Sequence, residues 1–173
     1  LDVATTDNGV CVKAQYTMPE VFAKLYFNYR INNDGVLVIE STIEADTTRK
    51  EVPGMFRYGV RFEMPQTYDK IVYYGRGPVE NYSDRKESQL VGLYSEDVDD
   101  QYYPYIRPQE SGAKSDLRYF RVADGSGRGL CIYSDEMFTA SAIPYTREML
   151  APWLDKRQYH STDLTDEQLT AVT

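Results

Sequence analysis

The residues best suited to chemistry are gathered in one short stretch. After Ile71-Val72-Tyr73-Tyr74 the chain passes through Gly75-Arg76-Gly77-Pro78 and then carries Glu80, Asn81, Tyr82, Asp84 and Arg85. Carboxylates, an amide and a guanidinium so close together can bond one another or a polar partner, and Tyr82 adds a flat apolar face with a polar tip. Such a set suits holding a polyol or a neighbouring protein surface; equally, Arg85 can fork onto Glu80 or Asp84 and close an Ω-type loop on itself. A second stretch, Tyr102 to Gly112, holds Tyr105, Arg107 and Glu110 between and beyond Pro104 and Pro108. The prolines predict an extended, stiff backbone, and stiff aromatics suit ligand or domain contact.

Other chemistries find little support. The single histidine, His160, would have to serve any Ser-His-Asp triad, and no Gly-x-Ser-x-Gly elbow is present. Glycoside hydrolysis needs two carboxyl groups about 5 to 9.5 Å apart, one with a raised pKa, and among 27 acidic residues proximity alone proves nothing. Ser95-Glu96-Asp97-Val98-Asp99-Asp100 invites a calcium reading but lacks the EF-hand glycine and closing glutamate, so a solvated acidic loop is expected. Asp124-Gly125-Ser126-Gly127-Arg128 is not a phosphate loop, since no Gly-Lys-Ser/Thr closes it and no helix follows, and Gly75-x-Gly77, without a third glycine or a following helix, is no dinucleotide fingerprint. Asn81-Tyr82-Ser83 is formally a glycosylation sequon. Cys11 and Cys131 sit in apolar runs with no zinc or redox spacing and are expected as buried free thiols.

Strands must position these loops. Leu25, Phe27, Tyr29 and Ile31 alternate with Lys24, Asn28 and Arg30; Asn32-Asn33-Asp34-Gly35 supplies a turn; Leu37, Ile39 and Ile43 alternate with Glu40, Thr42 and Glu44. A third alternating run spans Phe56 to Met64, within a meander covering residues 8 to 69. Ile71 onward forms the strand that delivers the polar loop, and Leu90 to Tyr94 a short one. Leu117 to Ala123 and Gly129 to Ser134 flank the 124–128 turn. Pro144 to Leu154, ending near Trp153, is the one helical turn, and Leu169 to Thr173 reads as a strand despite the box-like Thr165 and Gln168. The fold class is all-β, an antiparallel sandwich.

A length of 173 residues, 42% hydrophobic and 27% charged, fits one globular domain over residues 1–173. The net charge of −8 argues against sustained contact with nucleic acid or an anionic membrane, because counterion release needs a basic face. No apolar run spans a bilayer and no signal peptide opens the chain. Both ends read as cuts through a longer polypeptide, and the compartment, cytoplasm or periplasm, is not fixed. Sixteen tyrosines suit a β-sheet, wet interfaces and sugar faces.

Tyr74-Gly75-Arg76-Gly77-Pro78-Val79-Glu80-Asn81-Tyr82-Ser83-Asp84-Arg85 resembles the Gly-x-Gly-Pro-x-Glu-Asn-Tyr-x-Asp-Arg signature of the C-terminal, small-chain domain of large bacterial β-galactosidases. Tyr102-Tyr103-Pro104-Tyr105-Ile106-Arg107-Pro108-Gln109-Glu110-Ser111-Gly112 resembles that family's Tyr-x-Pro-Tyr-x-x-Pro-x-Glu-x-Gly segment, and Tyr145 to Leu150 its Tyr-x-x-x-x-Leu turn. The resemblance covers roughly residues 70 to 160, with residues 1 to 69 matching in pattern.

It implies a mutarotase-like supersandwich, incomplete at both ends, which supports and partly lines the active site of a separate (β/α)₈ barrel. The two catalytic glutamates belong to that barrel, so no catalytic residue is expected here. Glu80, Asn81, Tyr82, Asp84, Arg85, Tyr105, Arg107 and Glu110 become candidates for an inter-domain or sugar-facing surface. No cofactor is expected in this chain; the Mg and Na ions of the parent family belong to other domains. The implied partners are the rest of the polypeptide, chiefly the barrel, and a galactoside, with further copies of the parent in a homo-oligomer. The family's tryptophan-bearing Gly-Gly-Asp loop would lie past Thr173, and Trp153 does not replace it. His160 is misplaced for a mutarotase acid, and fold likeness does not carry activity. A stand-alone carbohydrate-binding or interaction module is the alternative.

Overall fold

The computed structural model describes residues 1–49, 54–55, 57–150, 160–164 and 168–173. Phe56, Trp153 and Thr165, each singled out in the sequence, lie outside them. The chain divides into two compact units, Leu1–Tyr58 and Gly59–Thr173.

The first unit is a four-stranded antiparallel meander in the order β1-β2-β3-β4: Asp2–Thr6 (β1), Gly9–Met18 (β2), Ala23–Asn32 (β3) and Leu37–Ala45 (β4). The β3–β4 turn forms where the sequence predicts it: Asn32 Oδ1 accepts from the backbone N–H of Asp34 at 3.0 Å and of Val36 at 2.9 Å, and Gly35 takes φ +81°. Register puts Val12, Tyr29 and Ile39 in one cross-strand row and Tyr16, Leu25 and Ile43 in another. The intervening rows place Lys13, Asn28 and Glu40, or Thr17, Lys24 and Glu44, on the opposite face. One face is therefore apolar and the other polar, as a period of two requires.

The second unit is a sandwich. Its four-stranded sheet runs β7-β6-β8-β9 and its three-stranded sheet β10-β11-β5. The strands are Phe62–Pro65 (β5), Lys70–Gly77 (β6), Leu90–Asp97 (β7), Lys114–Ala123 (β8), Gly129–Ala140 (β9), Ala142–Ile143 (β10) and Leu169–Val172 (β11), with one helical turn, Arg147–Leu150 (α1). Every pairing is antiparallel and neither sheet closes into a barrel. The inward residues of β6 and β8, Ile71, Tyr73, Leu117, Phe120 and Val122, pack with Val172 of β11 and Ala142 of β10, flanked by Phe62 and Met64 of β5. Each large side chain fully buried there contributes about 1.5–3 kcal/mol, so this core fixes β6 and thereby the base of the loop that follows it.

Three expectations change. Of the run from Phe56 to Met64, the described residues, 57 to 64, yield a strand only from Phe62, because β11 pairs with residues 62 to 65 alone and no described strand faces 57–60. The acidic stretch is not a loop: Ser95 to Asp97 complete β7, and Val98 to Gln101 form a 3₁₀ turn held by buried Val98, whose N–H donates to Asp69 O at 2.8 Å. Both cysteines are free, but Cys131 is exposed and Cys11 only half-buried. Alternation explains this: Leu130 and Ile132 are the less exposed neighbours, and Cys131 shares the outer face with Arg121, while Cys11 lies opposite Arg30 on the polar face of the meander, its Sγ donating to Asn28 Oδ1 at 3.1 Å.

Candidate functional site

Strand β6 ends at the cis Gly77–Pro78 bond, and the polar loop follows as far as β7. At its centre is Glu80. Its Oε1 accepts from Arg85 Nη2 at 2.8 Å and from the Tyr105 hydroxyl, and its Oε2 accepts from Gly112 N–H at 2.9 Å. Burial acts to raise the Glu80 carboxyl, but the bonds from Tyr105, Gly112 and Arg85 outweigh it and hold the group below the usual carboxylate range. The Tyr105 hydroxyl and the Glu80 carboxylate in turn hold Arg85 more firmly protonated. The Arg85 guanidinium also lies 4.7 Å over the Tyr82 ring, whose burial pushes its phenol up. One carboxylate thus ties the 78–89 loop to the 102–113 segment.

Asn81 plays a different part. It is 0% exposed, donates from Nδ2 to Arg76 O and Val79 O at 3.0 Å each, and accepts on Oδ1 from the Ser115 N–H at 2.9 Å and the Ser115 hydroxyl. Its own N–H donates to Ala113 O at 2.8 Å. Asn81 therefore faces inward and joins the loop to the start of β8.

Of the eight sequence candidates, Glu80, Tyr82, Arg85 and Tyr105 meet in one cluster. Glu110 joins through its carbonyl, 3.5 Å from the Tyr82 hydroxyl, while Asp84 and Arg107 are exposed. Around them, Val79, Tyr103 and Ile106 leave large apolar side chains open to solvent, and the Tyr103 and Tyr105 rings lie 4.6 Å apart. The cluster is internally bonded, and exposed apolar and aromatic side chains adjoin it along the chain.

Two further clusters at the base escaped sequence reasoning. Asp116, at φ +51° beside an irregularity in the β8–β9 register, accepts from Arg76 Nε at 2.6 Å and Lys86 Nζ at 2.7 Å, and Lys86 followed by Arg76 holds its carboxyl low. Arg76 also donates to Gln89 O at 2.9 Å, so one guanidinium links strand and loop. Lys114, only 3% exposed, donates to Pro78 O and lies 3.6 Å from Glu96, which also accepts from Tyr73 and Gln101; burial pulls the lysine's pKa down. An arginine flanked by glycines, and a lysine within a strand, were the available signals. Among the described residues no three His, Cys, Asp or Glu side chains gather as a metal site, and no helix is long and apolar enough to cross a membrane.

The family model described as beta galactosidase small chain matches residues 2–173. This chain belongs to the β-galactosidase small-chain family. Among curated relatives, it is 34% identical over 137 residues to a β-galactosidase of Priestia megaterium, covering 79% of this chain and 13% of that one. It is 33% identical over 157 residues to the β-galactosidase BgaC of Bifidobacterium adolescentis (87% and 15%), and 30% identical over 119 residues to a β-galactosidase of Halalkalibacterium halodurans (68% and 12%). The small-chain domain thus spans between 12% and 15% of the length of these relatives and sits in a larger polypeptide.

Proposed function

We propose that the chain is a non-catalytic domain of a β-galactosidase acting on terminal β-D-galactosides, in which it supports and partly lines the active site of a separate (β/α)₈ barrel. The observation that carries this reading is the state of Glu80. A glycosidase acid needs a carboxyl held protonated near neutral pH. Glu80, the carboxylate at the heart of the family signature, is instead held low and bonded on both oxygens. Among the described residues the other displaced carboxyls, Glu40, Asp46, Asp116, Asp124 and Glu148, also move down. Bonded by Arg85, Tyr105 and the Gly112 N–H, Glu80 is engaged in joining the two loops.

Val79, Tyr103, Ile106 and Arg107, each exposed and next to the bonded cluster in the chain, fit a wall presented to another domain or to the sugar. They adjoin a base already ordered by Glu80 and Asn81, so little conformational entropy remains to be lost on contact. No cofactor is assigned to this domain; metal ions of the parent enzyme would belong elsewhere in the polypeptide.

The test uses both the fragment and the full-length polypeptide. Residues 1–173 alone are expected to leave a nitrophenyl galactoside uncleaved, while Ile106→Asp in the full-length enzyme lowers kcat/KM about tenfold or more with the fold retained, a transition-state loss of about 1.4 kcal/mol. Cleavage by the fragment, or an unchanged kcat/KM, overturns the reading.

A further inference from the structure

Lys70, Arg76, Ser95 and Asp97 give the outer face of the four-stranded sheet polar margins, but its middle departs from the polar surface that alternation usually leaves on the solvent side of an antiparallel sheet. Register aligns Leu93 of β7 with Tyr74 of β6, Tyr74 with Tyr119 of β8, and Tyr119 with Tyr133 of β9. One apolar or aromatic side chain per strand therefore forms a row across the whole sheet, about 14 Å long at the usual strand spacing. Leu93 is 67% exposed, Tyr74 42% and Tyr133 71%; the Tyr119 and Tyr133 rings lie 6.1 Å apart. Arg118 lies 5.4 Å over the Tyr74 ring, and Val72, Arg121 and Cys131 make up most of the adjoining row. Tyrosine and arginine around an apolar centre is the composition of a protein contact core.

Charge narrows the choice of occupant. Arg118 donates to Asp116 O and Arg121 to Gly127 O, both backbone acceptors, and among the described residues neither pairs with a carboxylate. In a chain with 27 acidic and 19 basic residues, Arg76 and Lys70 at the margins of this face are paired with Asp116 and Asp97, while Arg118 and Arg121 beside the row keep guanidinium charge that no described carboxylate neutralises. A second copy docked by two-fold symmetry would bring the same arginines onto it. A single galactoside covers one or two rings, not a row across four strands. Most of the polypeptide in the curated relatives lies outside the matched region.

We propose that this face docks another part of the same polypeptide, outside these 173 residues, which meets it with an apolar centre and an acidic rim. The inference rests on the reading of the chain as a β-galactosidase domain. Cys131, exposed beside Tyr133, is the reporter. In the native full-length polypeptide its alkylation by N-ethylmaleimide, followed by peptide mass spectrometry, is expected to be at least tenfold slower than in the same protein unfolded in urea. Leu93→Asp with Tyr133→Asp should restore fast labelling. Protection is expected without added sugar and at every dilution. Labelling at the unfolded rate overturns the proposal; so does protection that requires a galactoside, or that disappears as an oligomer dissociates. Fast labelling in a full-length protein that still hydrolyses galactosides removes the docking face alone, whereas a full-length protein without that activity removes the functional reading.

Discussion

Glu80 and Asn81 are neighbours with opposite duties, and their replacements separate accordingly. Asn81→Leu leaves Arg76 O, Val79 O and the Ser115 N–H without their partner in a buried setting, so thermal or urea unfolding is expected to show a loss of about 3 kcal/mol. Arg85→Ala removes one of three donors to Glu80 and exposes the Tyr82 ring. It should lower kcat/KM of the full-length enzyme more than it lowers stability, and unchanged values of both would remove Arg85 from either role. The acid limb follows from the same carboxylates. Glu80 and Asp116 have folded pKa values below their unfolded ones, so their stabilisation is complete above about pH 5, clear of the unfolded values, and is lost progressively as pH falls through the unfolded and then the lowered values. Urea melts from pH 6 to 2 are expected to steepen in that window, and Glu80→Gln with Asp116→Asn to flatten the curve. The Arg85 to Glu80 pairing was legible as one of two options because both residues sit in one loop. The inward turn of Asn81 was not, since it depends on Ser115, thirty-four residues away.

Elements were legible where one strand's own alternation decided its face, and illegible where a partner strand decided its length. The 124–128 turn illustrates the first case: Asp124 Oδ1 accepts from the N–H groups of Ser126 and Arg128, as an Asx-type turn should. β5 illustrates the second, its pattern extending well ahead of the residues β11 pairs with. The cysteine expectation failed because an apolar run was read as buried on both sides, although β9 shows only one face to the core. The connection between the two loops is similarly non-local: Gly112 takes φ +76°, and a Cβ there would lie 2.6 Å from Gln101 O. Gly112→Ala is therefore expected to cost about 1–3 kcal/mol and to disturb the N–H that reaches Glu80, visible as a lower melting temperature and loss of that amide's protection from hydrogen exchange.

At the scale of the molecule, strand alternation with turn signals sufficed for the all-β class and three motifs for the family, because both are written in short stretches of the chain. The tyrosine row did not emerge, since it exists only once four strands are in register. NMR titration of residues 1–173 with galactose or lactose is expected to show no shift at tens of millimolar; affinity in the millimolar range or better, about −4 kcal/mol, would favour the stand-alone binding module. The first unit adds a practical corollary. Its meander gathers Val10, Tyr16, Ile31 and Leu37 on one side, all of them substantially exposed. Produced as a separate peptide, Leu1–Tyr58 should clump into inclusion bodies and scatter light on refolding, and charged replacements at Tyr16 and Ile31 should keep it in solution.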